Sequence, residues 1–538
     1  MKHIHYIVPT VSFSIFFAAL SFAACGSNEP EFELPTPTPE EPTAVSLPVQ
    51  NSNDEAGFTT YFNPTSGRCG DPMPFFDPKT KEYRVLYLQE YDSNGAYYHP
   101  IFAANTTDCA NYQAVGELVP TGNTPEALDG AIGTGCAAYD PDADLYYIYY
   151  TGHTFRNGSD YEVVMRATSK DFRTWTKDTP WLLRPEDFGY AKTDFRDPQV
   201  FRDDAGLWHM IISAKGKFAE FTSADCANWQ HAGDFAGMYW GRMLECPDVF
   251  KMGDYWYLVY SDAYRSAEGR KVKYFMGRTL DELKSNVDSR RWPDDHEGIL
   301  DSRSFYAGKT AGTGSDRYIW GWCPFRRGNN FEERNVAVGG DSEPLWSGAL
   351  VCHKLIQHAD GTLTCGAVPA LDGKYNKAQT LKVLDSKEAQ TSTTGAELKG
   401  NGYVFYDRLA QHNHISMTVK TGGAQDKFGF SFVRGTDGRS YYTLVVNPEN
   451  NGLRKVNFEH EGPGGTGFIK GGDGYMFKQP ADGVYNIDVY TDNSVLTLYI
   501  NDVCAYTQRF YGIAQNGWSI NSYDGANISV SNLKLSSY

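Results

Sequence analysis

Five segments rich in aromatic and β-branched residues recur along the first two thirds of this 538-residue chain, and they constrain its fold more than any other feature. They start at residues 83, 145, 207, 255 and 317, so the starts are 62, 62, 48 and 62 positions apart. Each follows a charged or glycine-bearing turn that is itself preceded by a short apolar segment, so the repeated unit is strand, turn, strand. A period of about 50–60 residues is the size of a four-stranded propeller blade. The sequence therefore predicts a five-bladed β-propeller over residues 55–370, with a less regular all-β protein as the alternative.

The pattern changes near residue 375. Segments such as YVFYDRL, HISMTVKT, KFGFSFVR and YYTLVVN are apolar or alternating, and Gly, Asn and Asp turns separate them. Short strands at this spacing are typical of an antiparallel sandwich. The predicted fold class is therefore all-β, with the propeller followed by a C-terminal β-sandwich over residues 375–538.

The charge balance limits the partners. The chain has 66 acidic and 49 basic residues, a net charge of −17. An acidic protein repels phosphate backbones, so nucleic acid is not an expected partner. Acidic substrates are disfavoured for the same reason, and a neutral polymer or a small neutral molecule is expected instead.

The N-terminus indicates export. Residues 1–24 have a basic start and an apolar run that is too short and too serine-broken for a membrane span, so they are predicted to be a signal peptide. The run ends in FAAC, which resembles a bacterial lipobox with Cys25 as the lipidated residue; an ordinary signal peptide is the alternative. Residues 25–54, rich in Pro and Glu, are predicted to be a flexible tether. Acidic residues soon after Cys25 resemble the surface-export signal of Bacteroidetes lipoproteins. The expectation is an exported lipoprotein, anchored to the outer membrane through its lipid only, on the cell surface or facing the periplasm.

Nine further cysteines are scattered along the chain. An odd number leaves at least one free thiol unless one pairs between chains, and the pairing of the others is open. The sequence has no CxxC motif and no Cys/His cluster with zinc spacing. No metal or cofactor is therefore expected.

Three carboxylates share one position in the repeat. Asp71 lies 12 residues before the start of its aromatic segment, and Asp197 and Glu245 each lie 10 residues before theirs. The innermost strands of a propeller gather around one axis, so these side chains are expected to converge in one pocket. Like charges in a shared pocket are unfavourable, which points to a catalytic purpose. A nucleophile, a general acid and a transition-state stabiliser are the carboxylates that glycoside cleavage needs.

The motifs around these residues resemble those of glycoside hydrolase family 32, which contains levanases, inulinases and invertases. The resemblance covers about residues 60–535 and runs in order along the chain. Its most specific part is the pair Arg196-Asp197-Pro198 and Glu245-Cys246-Pro247-Asp248. The other matching segments are RCGDP at 68–72, LYLQ at 86–89, SFYA at 304–307, GW at 321–322 and LWSGALVCHKL at 345–355. The family fold is a five-bladed propeller followed by a β-sandwich.

The resemblance implies a role for each matched residue. Asp71 would be the nucleophile that forms a covalent fructosyl-enzyme. Glu245 would be the general acid and then the base, and Asp197 would bind fructose hydroxyls and stabilise the transition state. Arg196 would bind substrate and neutralise the acidic cluster, keeping the nucleophile ionised. Gln89, Tyr306 and Trp322 would also bind substrate. Cys246 is either a hydrogen-bonding neighbour that tunes Glu245 or simply a small buried residue.

Three positions depart from the family pattern. Arg68 and Gly70 stand where the family has Trp and Asn, and the family's Ser-Gly-Ser stretch appears only as Gly133-Thr134-Gly135. These positions line the fructose subsite in the family, so the departures leave substrate identity open among levan, inulin and sucrose, and endo or exo action open too.

Three hypotheses follow from these patterns. The first is a retaining hydrolase of β-fructosyl linkages in fructans, fructo-oligosaccharides or sucrose. The second is a related inverting enzyme that resembles the arabinofuranosidases of family 43. The third is a non-catalytic glycan-binding surface lipoprotein. The sandwich is expected to support the propeller, with sugar binding as the alternative.

Overall fold

The five predicted hairpins all form in the computed structural model of the protein. It describes residues 60–91, 99–122, 124, 126–156, 159–263, 270–294, 296–324, 346–434, 440–459 and 470–538. The predicted signal peptide, Cys25 and the predicted tether to residue 54 lie outside the described residues. The hairpins are antiparallel pairs: β1 (Arg68–Phe76) with β2 (Tyr83–Glu90), β5 (Ala131–Asp140) with β6 (Leu145–Arg156), β9 (Phe195–Arg202) with β10 (Trp208–Ala214), β13 (Leu244–Met252) with β14 (Tyr255–Asp262), and β16 (Tyr306–Thr313) with β17 (Asp316–Pro324).

Further strands extend each hairpin into a group of three or four. The added strands are β3 (Ile101–Thr106), β4 (Gln113–Val119), β7 (Ser159–Ser169), β8 (Thr176–Lys177), β11 (Phe218–Ser223), β12 (Gln230–Ala236), β15 (Lys271–Gly277), β18 (Gly348–Gln357) and β19 (Leu363–Gly366). Helix α1 (Leu280–Asp288) packs on β15 and β12, and the Thr279 side chain caps its N-terminus.

The five groups form a closed ring. The first strand of each group contacts the first strand of the next, in the order β1, β5, β9, β13, β16 and back to β1. Strand β1 also pairs with β18 at Cys69 and Gly348, which joins the first and last groups into one eight-stranded sheet. The N-terminal and C-terminal parts of the ring therefore hold each other, and the first strands face one shared centre.

Buried polar contacts fix the inner strands to one another. The Asp248 carboxylate accepts a hydrogen bond from the backbone N–H of Thr310 at 2.7 Å, which links β13 to β16. The Lys309 ammonium reaches from β16 to the carbonyl of Gly135 in β5, also at 2.7 Å. All four residues lie in inner strands. The aspartate of the ECPD motif is thus a structural residue of the ring.

A repeated turn explains the two similar segments DCANY and DCANW. It follows the third strand of the first three groups, and its central residue is Cys109, Phe172 or Cys226, each buried with φ between 52° and 61°. Three residues before the central residue of each turn, a Ser or Thr hydroxyl bonds the aspartate two positions further on, whose carboxylate also accepts backbone N–H groups later in the turn. The two cysteines therefore occupy a packing position that phenylalanine fills in the second group. All nine cysteines of the described residues are buried free thiols.

The C-terminal region forms an antiparallel sheet of thirteen strands with one large core. The strands are β20 (Lys377–Ala378), β21 (Val383–Ser392), β22 (Gly395–Tyr406), β23 (His412–Thr421), β24 (Lys427–Arg434), β25 (Ser440–Pro448), β26 (Leu453–Glu459), β27 (Lys470–Lys478), β28 (Val484–Asp492), β29 (Val495–Ile500), β30 (Cys504–Arg509), β31 (Trp518–Tyr523) and β32 (Ala526–Ser537). The short helix α2 (Ala370–Lys374) precedes them.

This sheet is sandwich-like because β22 changes partners along its length. Residues 396–400 pair with β32 and residues 403–406 pair with β31. The change falls just after Gly400, whose φ of +66° lies in the left-handed region that favours glycine. A strand that passes from one layer to another is a known way to form a corner between packed sheets. The predicted two-layer arrangement thus appears as one continuous sheet folded around a core.

Buried polar residues join the C-terminal sheet to the ring. His353 in β18 bonds the Asp301 carboxylate at 2.9 Å and the Tyr499 hydroxyl at 2.7 Å, and the backbone N–H of Thr507 donates to Asp301 at 2.8 Å. Asp301 and His353 are fully buried, so each needs the other as a partner. These contacts fix the C-terminal sheet to the ring. No helix within the described ranges is long and apolar enough to cross a membrane.

Candidate active site

A β-bulge interrupts the first strand of all five hairpins near the same end of the ring. The register between first and second strand shifts at residues 70–73, 133–135, 196–199, 245–248 and 306–309. A bulge inserts an extra residue and redirects a side chain, so it is common beside active sites. Three of these bulges carry the predicted carboxylates Asp71, Asp197 and Glu245. The other two carry Thr134 and Tyr306, whose hydroxyls bond two of those carboxylates.

Asp71 is held by two neutral donors. The Thr134 hydroxyl donates to its Oδ2 at 2.6 Å, and the Trp322 indole N–H donates to its Oδ1 at 2.8 Å. Burial raises the pKa of Asp71 above its ordinary value, and the nearby Glu245 raises it further, while the two hydrogen bonds oppose this rise. Both donors orient the carboxylate without a counter-charge, which leaves its electron density available for attack on a substrate.

Glu245 is held by a charged donor and a phenol. Arg196 Nη2 donates to Oε1 at 3.0 Å, and the Tyr306 hydroxyl donates to Oε2 at 2.6 Å. Burial raises the pKa of the Tyr306 phenol, and the Glu245 charge adds to the rise, so this phenol stays protonated as a donor. The Glu245 side chain keeps about a fifth of its surface exposed, at 22%. An oriented, accessible carboxyl group is what proton transfer to an incoming molecule requires.

Asp197 is the most buried of the three carboxylates. Its backbone N–H donates to the Thr151 hydroxyl at 2.9 Å, and its Oδ2 accepts the backbone N–H of Cys246 at 2.8 Å. Its φ is +60°, so the bulge holds it in the left-handed region. Burial raises the pKa of Asp197 to about 7; the Arg196 cation opposes the rise, and the carboxylates of Glu245 and Asp71 add to it.

Arg196 is the cation that bonds Glu245 directly. Besides Glu245, its Nη1 donates to Glu162 at 3.0 Å and to Asp194 at 2.9 Å. Burial acts to lower the pKa of this guanidinium, but Glu162, Asp197 and Glu245 outweigh it and raise the pKa. The hydrogen bonds of Arg196 run to Glu245, Glu162 and Asp194 and not to Asp71, so its charge lies within the acidic cluster on the Glu245 side.

Four of the predicted neighbours can be placed individually. Trp322 and Tyr306 bond carboxylates and pack edge to face at 5.7 Å. Cys246 acts through its backbone N–H, and burial raises the pKa of its thiol well above the ordinary range. Gln89 is fully buried, its Nε2 donates to the Ser66 carbonyl at 2.7 Å, and its Oε1 has no hydrogen-bond partner among the described residues. Contact of Gln89, Arg196, Tyr306 and Trp322 with a substrate stays a prediction.

The departures from the family pattern have structural explanations. A Cβ atom at Gly70 would lie 2.1 Å from the ring of Trp346, so this indole fills the space beside the nucleophile. Arg68 donates through Nε to the Ser347 hydroxyl at 3.0 Å, next to that tryptophan. Thr134, in the reduced Gly-Thr-Gly stretch, is the hydroxyl that bonds Asp71.

Sequence reasoning missed several site residues. Thr151, Glu162 and Asp194 bond the predicted groups, and none of them lies in a quoted motif. Trp346 packs against Trp322 and lies within the LWSGALVCHKL segment, whose resemblance predicts no contact with the site. Thr151 in β6 and Glu162 in β7 reach the site because both strands contact β9, and their own segments carry no signal of that contact.

A cavity of about 470 Å³ lies in the C-terminal sheet, bordered by Asp482, Asn486 and Asp502, and none of the three bulge carboxylates lines it. Over the part of the chain that the structure describes, no group of three or more His, Cys, Asp or Glu side chains is placed to hold a metal ion.

The layout matches two family models. Residues 61–363 match the glycosyl hydrolases family 32 N-terminal domain, and residues 361–535 match the model described as GH32, BT1760-like, C-terminal domain. The chain belongs to glycosyl hydrolase family 32, since these models together span most of its length. This bears out the resemblance drawn from the motifs.

Curated relatives and solved structures agree with this family. A sucrose-6-phosphate hydrolase of Klebsiella pneumoniae is 26% identical over 321 residues, which are 56% of this chain and 64% of that protein. A levanbiose-producing levanase of Bacillus subtilis is 22% identical over 72% of this chain and 77% of that protein. The exo-inulinase structure from Aspergillus awamori superposes with a TM-score of 0.68 at 15% identity, covering 89% of this chain and 98% of that one. The chain thus spans less than two thirds of the first of these relatives, and the structural likeness concerns the fold.

Proposed function

We propose that this protein is a retaining β-fructoside hydrolase whose reaction passes through a covalent fructosyl-enzyme on Asp71. The observation that carries the proposal is the difference between the two accessible carboxylates. Among the described residues, the donors to Asp71 are the neutral Thr134 and Trp322, whereas Glu245 receives a cation and a phenol. Two carboxylates in such different surroundings suit the two roles of a retaining glycosidase, nucleophile and acid/base.

The first step breaks the glycosidic bond. Asp71 attacks the anomeric carbon of fructose, the bond from that carbon to the leaving oxygen breaks, and Glu245 gives its proton to that oxygen. Positive charge develops on the sugar ring in the transition state. Asp197, buried below the same centre, stabilises that charge in its ionised form.

The second step releases the sugar. Glu245, now ionised, removes a proton from water, the water oxygen attacks the anomeric carbon, and the bond to Asp71 breaks. Arg196 and Tyr306 hold Glu245 in one orientation through both steps. Two displacements at one carbon give a product with the starting β configuration.

The proposed substrates are neutral fructosides. The family relatives act, by their names, on sucrose 6-phosphate or on levan. The net charge of −17 and three carboxylates at the site disfavour a phosphorylated sugar. Levan, inulin and sucrose are therefore the substrates to compare, with sucrose 6-phosphate as the charged reference.

Azide rescue separates the two carboxylate roles. Glu245→Ala should accumulate the fructosyl-enzyme on an activated fructoside, and azide should restore turnover and yield β-fructosyl azide, because the small anion needs no general base. Asp71→Ala with azide should give the α-anomer, since azide then replaces the nucleophile. NMR of the two products checks this. The same anomer from both variants would contradict the assignment, and an inverting mechanism of the family 43 type would give no covalent intermediate.

The ring of five strand groups is, in this proposal, the five-bladed propeller of the family. The five bulges at one end of the inner strands support this reading, because a propeller places equivalent strand ends around one opening. The non-catalytic glycan-binding alternative is disfavoured by the retention of all three carboxylates together with specific donors for each.

We also propose that the protein is exported and held at the outer membrane by a lipid on Cys25, with residues 25–54 as the tether. The support is the FAAC sequence after an apolar run and the Pro/Glu-rich stretch that follows. In a Gram-negative host, Cys25→Ser should remove palmitate labelling and move the protein from the membrane to the soluble fraction. Ser27→Ala should leave both unchanged. Membrane retention of Cys25→Ser would contradict the lipid anchor.

A further inference from the structure

Large apolar side chains that stay exposed are unevenly placed on the ring. The strand registers put Asp71, Arg196 and Glu245 at the end where each second strand finishes. Among the described residues of the ring, the exposed large apolar side chains are Tyr91, Met238 and Tyr239 at that end, Leu207 at the opposite end, and Val115 in the outer strand β4. Tyr239 is the most exposed of them, at 56%.

The segment that carries Tyr239 is fixed on both sides. It connects β12 to β13, and the backbone N–H of Met238 donates to Asp288 at 2.8 Å. Trp240, the residue after Tyr239, is buried, and its backbone N–H donates to the Gly216 carbonyl at 2.9 Å. Arg242 then bonds both oxygens of Asp262 at 2.8 and 2.7 Å. Tyr239 is therefore held in a defined position although its own ring is exposed.

Gly216 makes room for the Tyr239 ring. This glycine has φ of +82°, and a Cβ atom there would lie 3.1 Å from Tyr239 Cε2. One part of the ring thus rests on the glycine and the rest is open to solvent. A rigid, exposed aromatic ring binds a partner at little entropic cost because its side chain is already ordered.

Tyr239 lies on the Glu245 side of the site. The residue beside Gly216, Lys215, donates its backbone N–H to the Asp194 carbonyl at 2.9 Å. The Asp194 carboxylate bonds Arg196, and Arg196 bonds Glu245. In the proposed reaction Glu245 protonates the leaving group, so the leaving-group part of a substrate extends outward from Glu245.

We infer that Tyr239 is a platform for sugar units of the leaving group beyond the first one, and that the enzyme's preferred substrate is a fructan chain. The inference rests on the proposed function. Sugar rings have apolar C–H faces that pack on aromatic rings, and the tyrosine hydroxyl offers a hydrogen bond at the edge. Sucrose has a single leaving-group sugar and does not extend to the platform.

Kinetics on long and short substrates test this inference. Tyr239→Ala should lower kcat/KM on levan or inulin by about three- to tenfold, through a higher KM. Its kcat/KM on sucrose should stay within about twofold of the wild type. Tyr239→Phe keeps the ring and should restore most of the polymer activity. Leu207→Ala removes an exposed apolar side chain at the opposite end of the ring and is the matched control. It should leave kcat/KM unchanged on both the polymer and sucrose.

Two outcomes would overturn the inference: unchanged polymer kinetics for Tyr239→Ala, or an equal loss on polymer and sucrose. A wild-type protein that cleaves no fructoside would instead refute the proposed function. Affinity electrophoresis in gels containing levan tests the inference separately from the proposed function, because it needs no turnover. The inactive Glu245→Gln protein should be retarded, and Glu245→Gln with Tyr239→Ala should be retarded less. Equal retardation of the two would also overturn the inference.

Discussion

Asp71→Asn is expected to lower kcat on fructosides by about four orders of magnitude or more while the protein stays folded. The amide is a poor nucleophile, so the covalent intermediate does not form. The amide oxygen can still accept the hydrogen bond of Thr134 or Trp322, and the variant no longer buries a charge at this position. The measurement is release of fructose or oligosaccharides from levan, inulin and sucrose, followed by ion-exchange chromatography.

The control for Asp71→Asn is Asp142→Asn. Asp142 lies in the turn at the far end of the second hairpin with 83% of its side chain exposed, and its loss should leave kcat unchanged. Thermal unfolding should show that both variants keep the wild-type fold. Turnover by Asp71→Asn within tenfold of the wild type would exclude Asp71 as the nucleophile.

Asp197→Asn is expected to combine a loss of activity of about 10³-fold with a gain of stability at high pH. The activity falls because the amide cannot offset the positive charge of the transition state. The stability rises because the buried Asp197 charge, close to Glu245 and Asp71, is unfavourable for folding. Asparagine tolerates the left-handed φ of this position well, so the change introduces no backbone strain.

The sign of the pH dependence follows from the raised pKa. Asp197 has a pKa of about 7 in the folded protein and an ordinary value of 3.8. The folded state therefore binds the proton more tightly than the unfolded state does. The destabilisation of the folded protein by the Asp197 charge is absent below about pH 4, grows between pH 4 and 7, and is complete above pH 7. The Tm of Asp197→Asn should exceed that of the wild type at pH 8, and the two should converge as the pH falls toward 4.

Calorimetry of both proteins from pH 4 to 8 measures this difference. Asp142→Asn again serves as control and should follow the wild type at every pH. A Tm difference that does not change with pH would contradict the raised pKa of Asp197. The same raised pKa values predict that the acidic limb of the wild-type activity profile lies above the ordinary aspartate range, because Asp71 and Asp197 act in their ionised forms.

Local patterns in the chain predicted the hairpins well. Aromatic and β-branched segments such as those starting at Tyr83 and Tyr255 form strands wherever a turn precedes them, because both their faces can be buried. The repeat position of Asp71, Asp197 and Glu245 also followed from spacing alone. The motif resemblance named Tyr306 and Trp322, but as substrate-binding residues, and the structure shows them bonded to Glu245 and Asp71.

Contacts between hairpins could not be predicted in this way. In the sequence, Thr134 is only part of a departure from the family pattern, yet its hydroxyl bonds the Asp71 carboxylate 63 positions earlier. Trp346, which precedes β18 of the last strand group, fills the space at Gly70 in the first group. A residue's own segment carries no information about a partner that only ring closure brings near. The same holds for the bulges, which depend on how the five first strands pack around one centre.

The sequence by itself determined the strand repeat, the change to a second β region near residue 375, and the three carboxylates at one place in the repeat. Each of these depends on the order of residues within a few positions, where periodicity and turn chemistry act. Only the tertiary structure decided which carboxylate receives which donors. That assignment depends on distances across the closed ring, and those distances set the different surroundings that suit Asp71 to the proposed role of nucleophile and Glu245 to that of acid.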